Sequence, residues 1–213
     1  MSYFRSLGFI LINLLFAWFS HADEKIAAKE VNFKGKNQKH LLLIEPRSMR
    51  SAVSMIIPGA QHTVYSAGYM GSLGVIHYKA EEFRANFKSG WKQFRENALK
   101  DAAKHLEKIK PELIKNSENM IEYALIQSKD PLTVSTIILP QFREKFRDLL
   151  GPELLVAMPN RSTILVFSGS ANNINLYKKT FINLYKDSIY PVSREIFRIN
   201  GSGIRAIDDY GAR

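Results

Sequence analysis

The sequence predicts an α+β fold: a mixed or antiparallel sheet built from strand–strand–helix units, with one long amphipathic helix. Three observations predict it. Short apolar or alternating runs recur along the chain, bounded by Pro, Gly, Asn and Asp. After Lys79 the apolar spacing switches to intervals of three and four. The order strand, strand, helix then occurs at 120–150 and at 153–187, with a looser copy over 41–110. Duplication and ordinary α+β grammar both produce that rhythm.

The elements follow in order. Asp23 to Lys39 is polar and Lys-rich and reads as a lead-in or edge segment. His40-Leu41-Leu42-Leu43-Ile44 is an apolar run ended by Pro46, suited to a strand buried on both faces. Val53, Met55 and Ile57 alternate before the turn signal Pro58-Gly59. Thr63 to Tyr78 carries Gly68, Gly71 and Gly74 and reads as a loop followed by a short strand, Gly74 to Tyr78. Phe83, Phe87, Trp91, Phe94, Ala98, Ala102, Leu106 and Ile109 lie on one face of a helix that Ser89-Gly90 can kink and Pro111 follows. Met120–Gln127 and Leu132–Leu139 are β-rich runs around a tight connection. Pro140 opens a helix with Phe142, Phe146 and Leu149 on one face, stopped at Gly151. Leu154–Met158 and Thr163–Phe167 are apolar strands; Ser170 offers an N-cap to a helix carrying Ile174, Tyr177, Phe181 and Leu184. Ile196–Ile199 and Ile204–Ile207 form a closing hairpin around Asn200-Gly201-Ser202-Gly203.

Ahead of all this stands an export signal. Arg5 precedes an apolar run from Leu7 to Phe19, and Ser20-His21-Ala22 places small residues at the −3 and −1 positions of a cut after Ala22. The run is shorter than the roughly 20 apolar residues that a spanning helix needs. Residues 1–22 are therefore expected to leave, and 23–213 to form a single α+β domain with possible halves at 40–110 and 118–208. The expected location is periplasmic or secreted.

Composition narrows the chemistry. The chain has no cysteine, which excludes disulfides, thiol catalysis and thiolate metal ligands. Its formal charge is +10, or +9 once Arg5 leaves with the signal. A basic exported protein is drawn to anionic surfaces, although such charge also serves solubility alone.

The segment Glu153-Leu154-Leu155-Val156-Ala157-Met158-Pro159-Asn160-Arg161-Ser162-Thr163-Ile164-Leu165-Val166-Phe167 leads into an amphipathic helix and then Pro191-Val192-Ser193-Arg194-Glu195-Ile196-Phe197. This resembles the closing section of the YtpQ family, bacterial domains of unknown function. Arg95 to Ala103 is similar to that family's Ala- and Leu-rich central helix. The resemblance implies an α+β fold and brings no established activity. Two departures stand beside it: the familiar members look cytoplasmic, and many carry an acidic residue in the turn where this chain has Ser162.

No catalytic, metal or cofactor motif emerges. Of the histidines, His21 leaves with the signal, and none of the rest stands at the i, i+4 spacing of a zinc helix. His105 reads as a boundary residue of the long helix. His62 and His77 flank the glycine segment and could meet in a hairpin, but a metal site would lack a third ligand. Gly68-x-x-Gly71-x-x-Gly74 would cradle phosphate only at a strand-to-helix turn, and here a strand follows. There is no Gly-x-Ser-x-Gly elbow; Ser170 and Ser193 read as caps, and Glu81-Glu82 and Asp208-Asp209 diverge on regular structure.

Arg84, Lys88, Lys92 and Arg95 fall along one side of the long helix, diluted by Glu81 and Glu96. They read as a solvated face or as an anion-binding stripe. The expectation is a non-catalytic binding or interaction protein of the cell envelope, with no cofactor, whose partner is an anionic surface or a protein; no nucleic-acid motif supports that partner. The alternatives are an envelope hydrolase whose site is assembled from distant residues, and a subunit of a larger envelope assembly.

Overall fold

The computed structural model describes residues 38–211; the signal segment and the lead-in up to residue 37 lie outside the described residues. Both sheets are antiparallel throughout.

In the first sheet, β1 (His40–Pro46) is buried from Leu41 onward, as its apolar run requires. It pairs with β3 (Thr63–Gly71), Ile44 facing Tyr65. The other edge of β3 carries β2 (Ser54–Ile56) and β4 (Gly74–His77). The segment expected as a loop is thus the central strand. Glycine lowers strand preference locally, yet Gly68 is required here: a Cβ would stand 2.9 Å from both the Ile76 carbonyl oxygen and Leu43 Cδ1. Neighbouring strands on both sides outweigh the local penalty.

The single long helix is replaced by two, α1 (Ala80–Asn86) and α2 (Trp91–Lys108). Gly90 adopts φ 63° and ψ −140°, a region that side-chain-bearing residues avoid, and ends the continuity. The apolar face persists across the break, since Phe83, Phe87, Phe94, Ala98, Ala102 and Leu106 are all buried.

The second sheet has the order β10-β9-β7-β8-β6-β5. Its strands are β5 (Glu112–Lys115), β6 (Ile121–Gln127), β7 (Leu154–Asn160), β8 (Thr163–Ser168), β9 (Glu195–Asn200) and β10 (Gly203–Asp209). Leu132–Leu139 is not the partner of β6. Residues Val134–Ile138 form a 3-10 turn instead, and β6 pairs with β5 and β8. The hydroxyls of Thr133 and Thr136 donate to the carbonyls of Asp130 and Thr133 at 2.7 and 2.6 Å, satisfying the backbone locally and competing with strand pairing. Ser135 Oγ donates to the Leu42 carbonyl at 2.6 Å and fastens this buried turn to β1.

The strand–strand–helix order is therefore realised at 153–187 but not at 120–150. Helix α3 (Pro140–Leu150) begins with its proline and stops at Gly151, φ 92°. Helix α4 (Lys178–Lys186) follows a 3-10 turn at Ile174–Tyr177. Ser170 caps neither; its hydroxyl lies 3.0 Å from that of Ser168.

The second sheet is covered on both faces. Leu154, Val156, Val166 and Phe197 join the main core with Phe142 and Phe146 of α3 and the face of α2. Leu155, Leu165, Phe167 and Ile196 pack with Ile174, Phe181 and Tyr210 on the other side. A strand buried on both faces has no polar alternation, which is why β7 reads as an unbroken apolar run.

Candidate functional site

Between helix α2 and strands β1–β3 lies a groove of about 350 Å³, with Leu42, Met55, Tyr65 and Trp91 among its lining and Lys92, Arg95 and Glu96 as its charged members. Lys92 and Arg95 stand one helical turn apart, so both reach the same opening. Burial pushes the Tyr65 hydroxyl up to about 12, and the Arg95 guanidinium works in the opposite direction.

The four cations of the expected stripe do not share one helix. Arg84 is on α1, Lys88 in the connection, and Lys92 and Arg95 on α2; all four are exposed. Only the last two line the groove. Among the described residues, no carboxylate forms an ion pair with any of the four.

The histidines are dispersed, each with its own partner. His62 Nε2 lies 3.2 Å from Asp209 Oδ2, and His77 Nε2 lies 3.0 Å from Glu45 Oε2. His62 precedes β3 and His77 pairs opposite Gly68, so they sit towards opposite ends of that strand and do not meet. His40 Nδ1 lies 2.8 Å from Tyr78 Oη within a cluster that includes Phe87 and Phe94; burial lowers its pKa, against Asp101. His105 Nε2 lies 3.0 Å from Thr133 Oγ1; burial chiefly lowers its pKa, and nearby Asp130 opposes this. Among the described residues no cluster of three metal-ligating side chains occurs.

Gly68, Gly71 and Gly74 occupy the β3–β4 hairpin, flanked by strand on both sides, and only Gly74 takes a positive φ, 126°. No helix N-terminus is there to receive a phosphate. Ser193, read as a cap, accepts the Glu195 backbone N–H at 2.9 Å and also lies 2.6 Å from Thr63 Oγ1.

Two buried carboxylates escaped sequence reasoning. Glu45 is 1% exposed: its Oε2 receives His77 and Arg161, the latter at 3.4 Å, while Oε1 has no hydrogen-bond partner. Glu195, 2% exposed, accepts the backbone N–H groups of Gln61 and His62 through Oε1 at 2.6 and 3.2 Å. Both tie the two sheets together. An acid flanking an apolar run, Glu45 after Leu41–Ile44 and Glu195 before Ile196–Phe197, was the available signal, because a buried charge demands partners from elsewhere in the fold.

These features define an α+β domain with a part-apolar groove rimmed by two cations, Lys92 and Arg95, that form no ion pair among the described residues. Comparison of the chain with protein families, curated proteins and solved structures finds no match to any of them.

Proposed function

We propose that this chain is an exported, non-catalytic binding protein that docks on an anionic surface of the cell envelope through the α1–α2 face. The observation that carries this reading is the pairing of Lys92 and Arg95, without acidic partners among the described residues, with an apolar groove that includes Met55 and Trp91. A cation beside a half-buried indole suits a surface that is charged outside and apolar beneath. Lys88 and Arg84 extend the positive rim. The residue pattern of 1–22 supports export, and no described helix is long and apolar enough to cross a membrane. A pocket gathering His62, His77 and a carboxylate would have favoured the hydrolase alternative; His62 and His77 instead adjoin different acids, Asp209 and Glu45.

The test is sedimentation with phosphatidylglycerol vesicles and with phosphatidylcholine vesicles, at low and high salt. The reading expects retention on the anionic vesicles only, lost at high salt, and weakened in Lys88→Glu/Lys92→Glu. Equal retention on both lipids, or retention unaffected by the double reversal, overturns it. Amino-terminal sequencing of protein recovered from its native cell should begin at Asp23; a start at Met1 removes the export part.

A further inference from the structure

A second basic surface lies on the β9–β10 hairpin. Arg198 and Arg205 are directly opposite in its register, so their side chains leave the same face from adjacent strands. Both line a groove of about 670 Å³ together with Pro58, Asn200 and Ser202. Like charges directly opposite on paired strands destabilise a sheet, so this arrangement calls for a counter-charge. Glu153 provides part of it, its Oε1 lying 3.4 Å from Arg198 Nε, with Asn200 Nδ2 donating to its Oε2 at 3.3 Å. Among the described residues, no carboxylate pairs with Arg205.

The platform beneath these arginines is built. The Ala206 N–H donates to the Pro58 carbonyl at 2.9 Å, strapping the Pro58-Gly59 turn along β10. Gly59, φ 76°, lets that turn lie against the strand: a Cβ there would collide with the Ala206 carbonyl oxygen and stand 3.1 Å from Arg205 Cγ. The aliphatic stem of Arg205 is thus seated on the glycine. At the tip, Asn200 Oδ1 accepts both the Ser202 N–H at 3.0 Å and the Ser202 hydroxyl at 2.6 Å, which fixes the turn.

We propose that the Arg198–Arg205 pair is a binding site for a phosphate dianion, free or as a monoester. Two guanidinium forks offer more N–H donors than a single carboxylate can use, and a tetrahedral oxyanion with two charges matches both. Glu153 is the resident competitor for Arg198. This groove and the one at α2 share no lining residue, so the two sites succeed or fail separately.

The probes are inorganic phosphate, followed by calorimetry and by thermal unfolding, and phosphatidylcholine vesicles with and without phosphatidic acid. Phosphate should raise the unfolding temperature of the unaltered chain in a concentration-dependent way. Arg205→Ala should weaken binding by about tenfold, the loss of a charge-assisted hydrogen-bonding partner, without lowering the unfolding temperature when phosphate is omitted. Arg205→Lys should also bind more weakly, because the fork and not the charge alone is recognised. Glu153→Gln should bind about threefold more tightly by releasing Arg198. Lys88→Glu/Lys92→Glu should bind phosphate unchanged. Binding of inorganic phosphate assigns a soluble dianion; Arg205-dependent binding of phosphatidic acid vesicles alone, read in the Lys88→Glu/Lys92→Glu background so that the α1–α2 face does not contribute, assigns a lipid headgroup. Binding of neither, or full binding by Arg205→Ala or by Arg205→Lys, overturns the proposal.

Discussion

Nε2 of His77 lies 3.0 Å from Oε2 of Glu45, across two strand pairings of the first sheet. Glu45 faces Val64 and His77 faces Gly68, two positions on the same face of β3 with only Ser66 between them. The imidazole thus reaches, past β3, a carboxylate that is 1% exposed. Arg161, from the turn between β7 and β8, reaches the same oxygen from the other sheet and also stacks on Tyr190, 5.2 Å from the ring centre.

This geometry makes the three residues unequal. Removing a partner strands the buried carboxylate, whereas removing the carboxylate leaves His77 and Arg161 able to reach water, their side chains being 38% and 19% exposed. Arg161→Ala should therefore destabilise the protein by about 2–3 kcal/mol, and Glu45→Gln by less. Urea unfolding of the two variants checks the order; an equal or reversed order refutes the asymmetry.

Stability should fall on acidification. His40 and His105 both have folded-state pKa values lowered, chiefly by burial, from an ordinary value of 6.5. Below that value the unfolded chain takes up protons that the folded chain refuses, so folding is penalised progressively as pH falls towards the lowered folded values. Their contribution is fully present above 6.5. Unfolding midpoints measured from neutral to mildly acidic pH should decline, and His105→Gln should flatten part of that decline. An unchanged slope in the variant would remove His105 from the account.

Gly90 ends one helix line and begins another. Open space surrounds the position, so Gly90→Ala meets no clash, yet φ 63° with ψ −140° is strained for alanine. The substitution should cost about 1–3 kcal/mol through backbone strain alone. Thermal unfolding reads the cost, and a neutral result would show that the break relaxes into another conformation.

Much of the fold was legible because burial writes itself into spacing. The run His40–Ile44, the pair Leu154–Met158 and Thr163–Phe167, the closing hairpin and the helix from Pro140 to the Gly151 stop all appear where their patterns place them. The failures share a cause. Thr63–Gly71 carries glycines that argue against a strand, and Leu132–Leu139 carries β-branched residues that argue for one. In the first, strands on both sides impose extension; in the second, Ser and Thr hydroxyls and the contact with β1 stabilise a turn. In both, β1 is a partner that lies outside the local sequence. Of the candidate site, the cations Arg84, Lys88, Lys92 and Arg95 were legible, but the break at Gly90 decides that only Lys92 and Arg95 share a groove.

By itself, the sequence determined the α+β class, the apolar faces, the absence of thiol chemistry and the positive charge, because each depends on composition or on the distance between near neighbours. Only the tertiary structure decided that His62 and His77 part company, that Glu45 and Glu195 are buried at the joint between the sheets, and that Arg198 and Arg205 stand side by side. Hairpin register sets the arginine pair, and side-chain contacts between residues far apart along the chain set the two buried acids.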